Sequence, residues 1–487
     1  MSQKISSSSD IPAHCSHADY RIEEENGKLP AFFTRPILMS VLGIVLLAFA
    51  VSCVWRPLDH DEGFYAEHAY WFQEKGIFRS VLYTGMGLDW ETEQYHSHKL
   101  FVVLGAGLIK VGGLSLPLLR ILTLVFSGLF FWVMYSYQRR QPGYEGRDFL
   151  LVALMMMLNA TFFSWAFKFR PEVMVLCLGF LSYTWLERYL YQEPKGQNAH
   201  ALHASALFAG LATLGHLNGA VYIGAGGLLL LMYQRWLPAI RFGLLASLVS
   251  SLYFFNVADP ETFQAFWKQF RADPNLSQSD FVVWQWTGKI LKEHQRFFHS
   301  PKEISFSLLA LLALVGSYQN LKRNHPVLLR YTLVLIVLLA AIAHSQTTKY
   351  GLLYLPFLVL VVWHHLRAWH QWQRYMRPLV ISLLAIFGVV QSLYIGHLMV
   401  RGQNVKADTL QMKAHVPEGS KVLAPTGFIF NGLEEDYHIR SLKGLKYYQR
   451  YHPEEKLGLP LLLEFARLHQ NEYIIIAPEW QDSIVKE

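Results

Sequence analysis

Three acidic residues stand within four positions, directly after an apolar run. They are Asp59, Asp61 and Glu62 in the segment RPLDHDEGFYAEHAYWF, which covers residues 56–72. A carboxylate held within hydrogen-bond reach of a hydroxyl group can act as a general base, so these acids are candidates for proton transfer. The structural alternative is that Asp59 caps a helix over residues 61–76, with the other two acids stabilising its positive end.

Further ionisable and polar residues recur at the ends of other apolar segments. Each one alone is more often a helix cap, a snorkelling side chain or a hydrogen-bonded residue than part of a site. Together they are expected on one membrane surface, whereas ion-coupled transporters usually place such groups near the bilayer centre. The pattern therefore indicates chemistry at the membrane surface. The candidates besides the three acids are Tyr65, His98, Lys99, Lys168, Arg170, Glu172, His216, Lys349 and Tyr350.

The composition is that of a membrane protein. Of 487 residues, 52% are hydrophobic and only 16% are charged, and the mean hydropathy is +0.21, whereas soluble domains carry about 25% charged residues. The net charge of +7 comes from basic residues in short loops, so it does not indicate binding to nucleic acid. Cys15, Cys53 and Cys177 lack metal-ligand spacing, and a disulfide framework is not expected.

Repeated apolar runs of roughly 17–21 residues predict a mostly α-helical, polytopic fold with about eleven transmembrane helices. Interfacial helices are expected in the first long loop, and a small α/β domain at the C-terminal end, where SKVLAP and EYIIIAP read as strands and LPLLLEFARLH as a helix. The predicted spans are 37–55, 117–137, 148–167, 172–190, 200–216, 219–234, 241–257, 304–320, 328–345, 350–366 and 378–398.

The positively charged loops predict the orientation. Alternate loops hold about 13 Lys and Arg residues, against about 3 in the loops between them, which makes the first set cytoplasmic under the positive-inside rule. We therefore expect a plasma (inner) membrane protein whose polar N-terminal tail is cytoplasmic and disordered and whose C-terminal domain is extracytoplasmic. The predicted units are the tail 1–36, the transmembrane domain 37–400 with extracytoplasmic loops 56–116 and 258–303, and the soluble domain 401–487.

Four segments, in order along the chain, resemble motifs of the GT-C glycosyltransferases, which include protein O-mannosyltransferases and the lipid A aminoarabinose transferase. DHDEGFYAEHAYWF resembles the acidic motif of the first extracytoplasmic loop. YHSHKLFVVLGAGLIKVGG resembles a segment that opens with a Lys-Pro-Pro-Leu-like motif, with Lys99 at the lysine and apolar residues at the prolines. FRPEV resembles an Arg-Pro-Asp-like motif, with Glu172 for Asp, and KYGLLYLPFLVL a late Arg-Tyr segment, with Lys349 in the basic position. The resemblance covers about residues 37–400.

This resemblance implies an inverting glycosyltransferase that moves a sugar from a polyprenyl-phosphate donor to an acceptor hydroxyl at the outer membrane face. It implies Asp61 as the general base, with Glu62 and Asp59 in reserve. The implied donor-phosphate ligands are Lys99, Arg170 and Lys349, and the implied sugar- or cation-orienting residues are Glu172, Asp59, His98, Tyr65, His216 and Tyr350. No cofactor is required by the pattern. A divalent cation, Mg²⁺ or Mn²⁺, held by Asp61 and Glu172, is left open.

The acceptor stays open among a glycan, a lipid and a protein, and the other partners are the donor and membrane lipids. Two other classes of protein fit part of the pattern. A transporter or flippase of a lipid-linked sugar would also gather charges near one surface, although it would need access from both faces. A structural membrane protein would use the acids only as caps, and Asp61→Asn would then leave its function intact, because Asn caps helices about as well as Asp.

Overall fold

The computed structural model describes residues 28–85, 89–192, 199–271, 283–343, 347–369, 376–400, 405–435, 437–451 and 458–476. Predictions for other positions lie outside the described residues. These include most of the tail 1–36, the middle of the loop 258–303 and the last residues of the unit 401–487.

The apolar part of the chain is helical throughout. Short 3-10 helices at Leu217–Gly219, Leu252–Phe254 and Thr348–Leu353 join some of its α-helices. The α-helices are α1 (Arg35–Val54), α2 (His60–Lys75), α3 (Lys99–Gly112), α4 (Leu116–Gln138), α5 (Gly146–Leu158), α6 (Ala160–Trp165), α7 (Glu172–Gln192), α8 (Ala199–Gly215), α9 (Ala220–Met232), α10 (Trp236–Ser251), α11 (Pro260–Arg271), α12 (Val283–Lys292), α13 (His294–Phe297), α14 (Pro301–Gly316), α15 (Tyr318–Asn324), α16 (Pro326–Ile342), α17 (Leu355–Arg367) and α18 (Met376–Val400).

Each of the predicted apolar segments coincides with one of these helices or with two consecutive ones. Among the described residues, four helices are long and apolar enough to cross a membrane, or up to six if each of two bent helix pairs is one span. Helix α1 leaves large apolar side chains uncovered, with Leu47 68% and Val54 80% exposed, as a lipid-facing helix does. The multi-pass helical architecture is confirmed, and the number of about eleven spans stays a prediction.

Helices α2 and α3 lie in the first long loop and carry much of the candidate site. Helix α2 begins at His60, one residue before the predicted start, and Asp59 is its N-cap as predicted: the Asp59 side chain accepts a hydrogen bond from the Asp61 amide at 3.1 Å. Glu62 accepts one from the Asp59 amide at 2.9 Å, which completes a capping box. Gly76, in the left-handed conformation with φ of 68°, ends the helix.

The C-terminal unit is a small parallel sheet with helices around it. Its central strand β1 (Lys421–Ala424) pairs in parallel with β2 (His438–Ser441) on one side and with β3 (Tyr473–Ile474) on the other. The sequence predicts β1, β3 and the helix of LPLLLEFARLH, but not β2. The helices of the unit are α19 (Val405–Lys413), α20 (Ile429–Gly432), α21 (Gly444–Tyr451) and α22 (Leu459–Leu468), with 3-10 helices at Thr426–Phe428 and Leu433–Glu435.

This unit is docked against α2 and the chain that follows it. The Ser441 amide donates to the Leu82 carbonyl at 3.0 Å, and the Tyr70 hydroxyl donates to the Leu433 carbonyl at 3.3 Å. The contact is close because α2 has Gly63 where it meets Thr426. A Cβ at position 63 would lie 2.6 Å from Thr426 Cγ2 and 2.9 Å from its carbonyl oxygen. The docking fixes the residues after β2 next to the start of α2.

Candidate active site

Arg170 holds three carboxylates at the centre of the candidate site. It lies in the turn before α7, and its side chain is only 3% exposed. Its Nη1 donates to Asp59 Oδ1 at 2.9 Å and also contacts Asp61 Oδ2, while Nη2 donates to Glu172 Oε1 at 2.7 Å. The predicted convergence of Asp59, Asp61, Arg170 and Glu172 is thus present in the structure. Since the guanidinium is committed to these acids, it is placed to orient them.

Three lysines surround the same acids and are more exposed than Arg170. Lys168 Nζ lies 3.0 Å from Asp59 Oδ2, and Lys349 Nζ lies 3.9 Å from both Asp61 Oδ2 and Glu172 Oε1. Lys443 of the C-terminal unit completes the group, with Nζ 3.6 Å from Asp61 Oδ1. The side chains of Lys168, Lys349 and Lys443 are 12%, 24% and 36% exposed. Of the cations in this network, the lysines are therefore the ones open to an incoming anion.

These cations control the protonation of the acids. Burial would raise the pKa of Asp61, but the charges of Arg170, Lys443 and Lys349 outweigh burial and hold it far below its usual range. Burial opposes the charges of Lys168 and Arg170 in the same way at Asp59, whose pKa falls to about 2. Both acids are therefore carboxylates at neutral pH, and Asp61 is a weak base as long as the lysines are directed at it.

Glu62, the second residue implied as catalytic, lies on the opposite side of the capping turn and is fully buried. Arg120 of α4 donates two hydrogen bonds of 2.9 Å to its oxygens, in a bidentate pair. The amides of Phe169 and Asp59 each donate another at 2.9 Å. With its acceptor positions taken, Glu62 fastens the start of α2 to α4 and to the turn that carries Arg170. This geometry suits a positioning residue.

Lys99, implied as a donor-phosphate ligand, lies away from this network. Its ammonium contacts Asn256 Oδ1 and sits over the rings of Tyr253 at 5.0 Å and Phe255 at 4.9 Å. Burial lowers the pKa of Lys99 to about 8. None of the contacts among the described residues links it to Asp61 or Arg170. The structure therefore places Lys99, at the start of α3, against aromatic residues that follow α10, apart from the three lysines.

The remaining four predicted residues form a wall beside Arg170. The guanidinium carbon of Arg170 lies 5.9 Å from the ring centre of Tyr65 in α2. The Tyr65 hydroxyl is 3.0 Å from His98 Nε2. The rings of His98 and His216 stack with centroids 4.3 Å apart, and the ring of Tyr350 meets His216 edge-on at 5.7 Å. Burial lowers the pKa of His98 well below its usual value, so this ring is neutral. Hydroxyl and imidazole groups of this kind suit contact with sugar hydroxyls.

The predicted metal ligands do not fit a metal ion in this arrangement. Asp61 and Glu172 both direct oxygens at Arg170, whose guanidinium fills the position between them. Within the described ranges, no group of three His, Cys, Asp or Glu residues is arranged to hold a metal ion. No step of the chemistry is therefore assigned to a metal.

Two contributions of the C-terminal unit are absent from the sequence prediction. The first is Lys443, and the second is Thr426, whose hydroxyl contacts Nδ1 of His60. Nε2 of His60 lies 2.7 Å from the hydroxyl of Tyr83 in the first loop. Burial, assisted by the charge of Lys443, lowers the pKa of His60 to about 3, so the ring is neutral. No motif signals these contacts, since only the docking of two distant segments creates them.

Neither a protein-family model nor a curated protein matches the sequence. Solved structures match the architecture. ArnT from Cupriavidus metallidurans in the apo state has a TM-score of 0.55 at 14% identity, over 81% of this chain and 84% of that chain. ArnT from the same organism bound to undecaprenyl phosphate has a TM-score of 0.57 at 14% identity, over 86% of this chain and 88% of that chain.

The arabinosyltransferase EmbB from Mycobacterium smegmatis gives a TM-score of 0.46 at 15% identity, over 72% of this chain and 32% of that chain. The match to ArnT extends over most of both chains. The chain therefore has the fold of ArnT.

Proposed function

We propose that this protein transfers a sugar from a polyprenyl-phosphate donor to an acceptor hydroxyl, with inversion at the anomeric carbon. One observation carries the proposal: the partly exposed Asp61 carboxylate is surrounded by cations from three separate parts of the chain, namely Arg170, Lys349 and Lys443. Such a site offers a base for the acceptor and positive charge for a departing phosphate side by side. The ArnT structure of the same fold contains undecaprenyl phosphate, which supports a donor of this class.

Asp61 is the proposed general base. The acceptor oxygen attacks the anomeric carbon as its proton passes to the Asp61 carboxylate, and the bond from that carbon to the phosphate oxygen breaks. The electron pair of that bond leaves with the polyprenyl phosphate. Because attack occurs opposite the leaving group, one step inverts the anomeric centre. Asp59 is committed to capping α2 and to Lys168, and Glu62 to Arg120, so Asp61 is the best-placed of the three acids.

The lysines link donor binding to the strength of this base. In the free protein, Lys349 and Lys443 are directed at Asp61 and help to hold its pKa low. A bound phosphodiester brings a negative charge among the same ammonium groups, which then divide their attraction between phosphate and carboxylate. The pKa of Asp61 consequently rises towards its usual range when the donor is present. The same lysines stabilise the charge that develops on the leaving phosphate.

The wall of residues beside Arg170 is the proposed binding site of the donor sugar. Tyr65, His98, His216 and Tyr350 present hydroxyl and imidazole groups there, and Glu172 fixes the guanidinium beside them. Lys99 has no part in this proposal, and no metal ion enters the reaction. The positive-inside distribution supports a site on the extracytoplasmic side, with the C-terminal unit on that side too.

The reaction is tested with purified protein in nanodiscs, a panel of polyprenyl-phosphate sugars and candidate acceptors of the glycan, lipid and peptide classes. Polyprenyl phosphate released in equal amount to glycosylated acceptor, with the product of opposite anomeric configuration by NMR, supports the proposal. Retained configuration would overturn single-step inversion. Movement of an intact donor across the bilayer without cleavage would instead identify a flippase.

A further inference from the structure

A second polar cleft lies between the chain after α2 and the C-terminal unit. Its volume is about 440 Å³, within the usual size range of small-molecule sites, which is about 300–1,000 Å³. One wall belongs to the first long loop and the other to the segment around β2. The residues that line it are Trp71, Arg79, Val81, Thr84, Leu433, Tyr437, His438, Ile439 and Arg440.

The cleft is separate from the site around Asp61. Trp71 follows Asp61 by ten positions on α2, which corresponds to about 15 Å along the helix axis. None of the charged residues in contact with Asp61 is among the residues that line the cleft. A group bound here is therefore not the group that reacts at Asp61.

Arg79 stands fixed on one wall. Its guanidinium stacks over the Trp71 ring, 3.8 Å from the ring centre, and the Trp71 indole donates to Glu67 Oε1 at 3.3 Å. A guanidinium held by its face against an indole keeps its N–H groups directed outward, in its own plane. The Nε atom of Arg79 is buried and has no hydrogen-bond partner among the described residues.

Arg440 stands on the opposite wall, in β2. Its Nη1 donates to the His469 carbonyl at 2.8 Å, which fixes the side chain, while its Nε is buried and unpaired within the described part of the chain. Arg79 and Arg440 therefore bring two guanidinium groups to one cleft from separate segments of the chain, and their positive charge favours an anion there. The acceptor that matches planar guanidinium groups is a carboxylate or a phosphate.

Neighbouring acids do not fill this role. None of the nine lining residues is acidic. Glu67 already accepts hydrogen bonds from the Ser80 hydroxyl at 2.6 Å and the Val81 amide at 2.6 Å, and burial raises its pKa to about 7. Glu91 attracts Arg440 electrostatically but does not line the cleft. The lining therefore keeps a positive balance from Arg79 and Arg440.

We propose that this cleft binds a sugar that carries a carboxylate or phosphate group, as part of the acceptor. The assignment of this sugar to the acceptor rests on the proposed function, whereas the binding of the sugar does not. The anion lies between Arg79 and Arg440, and its sugar contacts the Thr84 and His438 edge of the cleft. The cleft thereby selects acidic glycans, and its place at the joint with the C-terminal unit gives that unit a role in acceptor choice.

The test is saturation-transfer NMR on the full-length protein in nanodiscs without donor. The probes are glucuronate, glucose 6-phosphate and uncharged glucose, with inorganic phosphate as the competitor. Both charged sugars should receive saturation and glucose should not. Arg79→Gln and Arg440→Gln should each weaken binding by about tenfold or more, the loss of one charged hydrogen bond. Arg241→Gln, at an exposed arginine of α10, should leave binding unchanged.

Three results would overturn the proposal. If glucose binds as well as the charged sugars, the cleft does not recognise the charged group. Charged sugars that bind both arginine variants normally would place binding elsewhere. Inorganic phosphate that competes as strongly as glucose 6-phosphate would reduce the cleft to a simple anion site. If Arg440→Gln unfolds through loss of the His469 contact, Arg79→Gln decides the question.

Failure of the proposed function gives a different result. The Asp61→Asn protein should bind the charged sugars normally, whether or not any transfer occurs. If transfer is observed, Arg79→Gln should raise KM for acidic acceptors and leave KM for the donor unchanged.

Discussion

The ammonium nitrogen of Lys443 lies 3.6 Å from Oδ1 of Asp61, although the two residues come from opposite ends of the chain. Asp61 belongs to the first turn of α2, and Lys443 follows β2 in the C-terminal unit. The contact completes a ring of cations around the carboxylate, together with Arg170 and Lys349. The C-terminal unit is thus a component of the candidate site.

Replacing Lys443 tests that contribution. We expect Lys443→Gln to lower kcat/KM for the donor by about tenfold, because one charged contact to the phosphate is lost. Steady-state kinetics with a polyprenyl-phosphate sugar measure this effect. Lys421→Gln, a lysine of the same unit that contacts Gln470, is the matched control and should be neutral. Equal kcat/KM for Lys443→Gln and the wild type would remove Lys443 from the site.

The close contact between Gly63 and Thr426 should also affect activity, because it helps to position Lys443 beside Asp61. A Cβ there would press on the Thr426 carbonyl, which cannot rotate aside, so Gly63→Ala should displace the C-terminal unit and draw Lys443 away from Asp61. We expect kcat/KM to fall as it does in Lys443→Gln, with little further loss in the double variant. Gly43→Ala, where a Cβ meets open space, is the control. Fully additive losses would show that the docking acts on something other than Lys443.

The pH dependence should differ between kcat and kcat/KM. The acid limb of kcat/KM reports the free protein, where the cations hold the pKa of Asp61 far below its usual value of 3.8. The acid limb of kcat reports the donor complex, where the phosphate shares those cations, so it should lie at higher pH. In Lys443→Gln the limb of kcat/KM should also move to higher pH. Coincident limbs in the wild type would contradict the linkage between phosphate and base.

The lowered pKa of Asp61 also determines how the stability of the fold changes with pH. Because the folded protein lowers the pKa of Asp61, its ion pairs stabilise the fold above the unfolded value of 3.8. That contribution falls away as the pH drops below 3.8 towards the lowered folded value. At neutral pH this contribution is fully present, so the free protein should not lose stability near neutral pH through protonation of Asp61.

Glu62→Gln should act on stability. It leaves the buried Arg120 without its partner charge, and removal of one member of a buried pair costs about 3–5 kcal/mol. Thermal unfolding of the purified variant should show a clearly lower Tm, and Asp61→Asn should lower Tm by less, since Asp61 is 27% exposed whereas Glu62 is fully buried. An unchanged Tm for Glu62→Gln, together with lost transfer, would return Glu62 to a catalytic role.

Much of this arrangement is readable in the sequence. An Asp followed three positions later by Glu predicts the capping box that opens α2, and apolar runs predict the helices. The common sidedness of the loops predicts that Arg170, Glu172 and Lys349 meet Asp61. These predictions succeed because local hydrogen bonding and membrane sidedness restrict where such residues can lie.

The remaining features depend on tertiary packing. Adjacent positions on a helix point about 100° apart, so one of Asp61 and Glu62 must turn inward, but the sequence does not say which one finds Arg120. Lys99 stands in a motif-like context, yet it is captured by the rings of Tyr253 and Phe255. Lys443 lies beyond β2, whose residues HIRS lack a strand-like apolar pattern.

The proposed role of Asp61 is to take the acceptor proton. It is tested most directly by release of polyprenyl phosphate from a cognate donor, in the presence of acceptor, by Asp61→Asn. Asp89→Asn, at an acid of the same loop that is 68% exposed, is the control. We predict a loss of about 10²–10⁴-fold for Asp61→Asn, with donor binding and the fold retained, and no loss for the control. Release at the wild-type rate by a folded, donor-binding Asp61→Asn protein would contradict the claim and leave Asp61 a structural acid of the α2 turn.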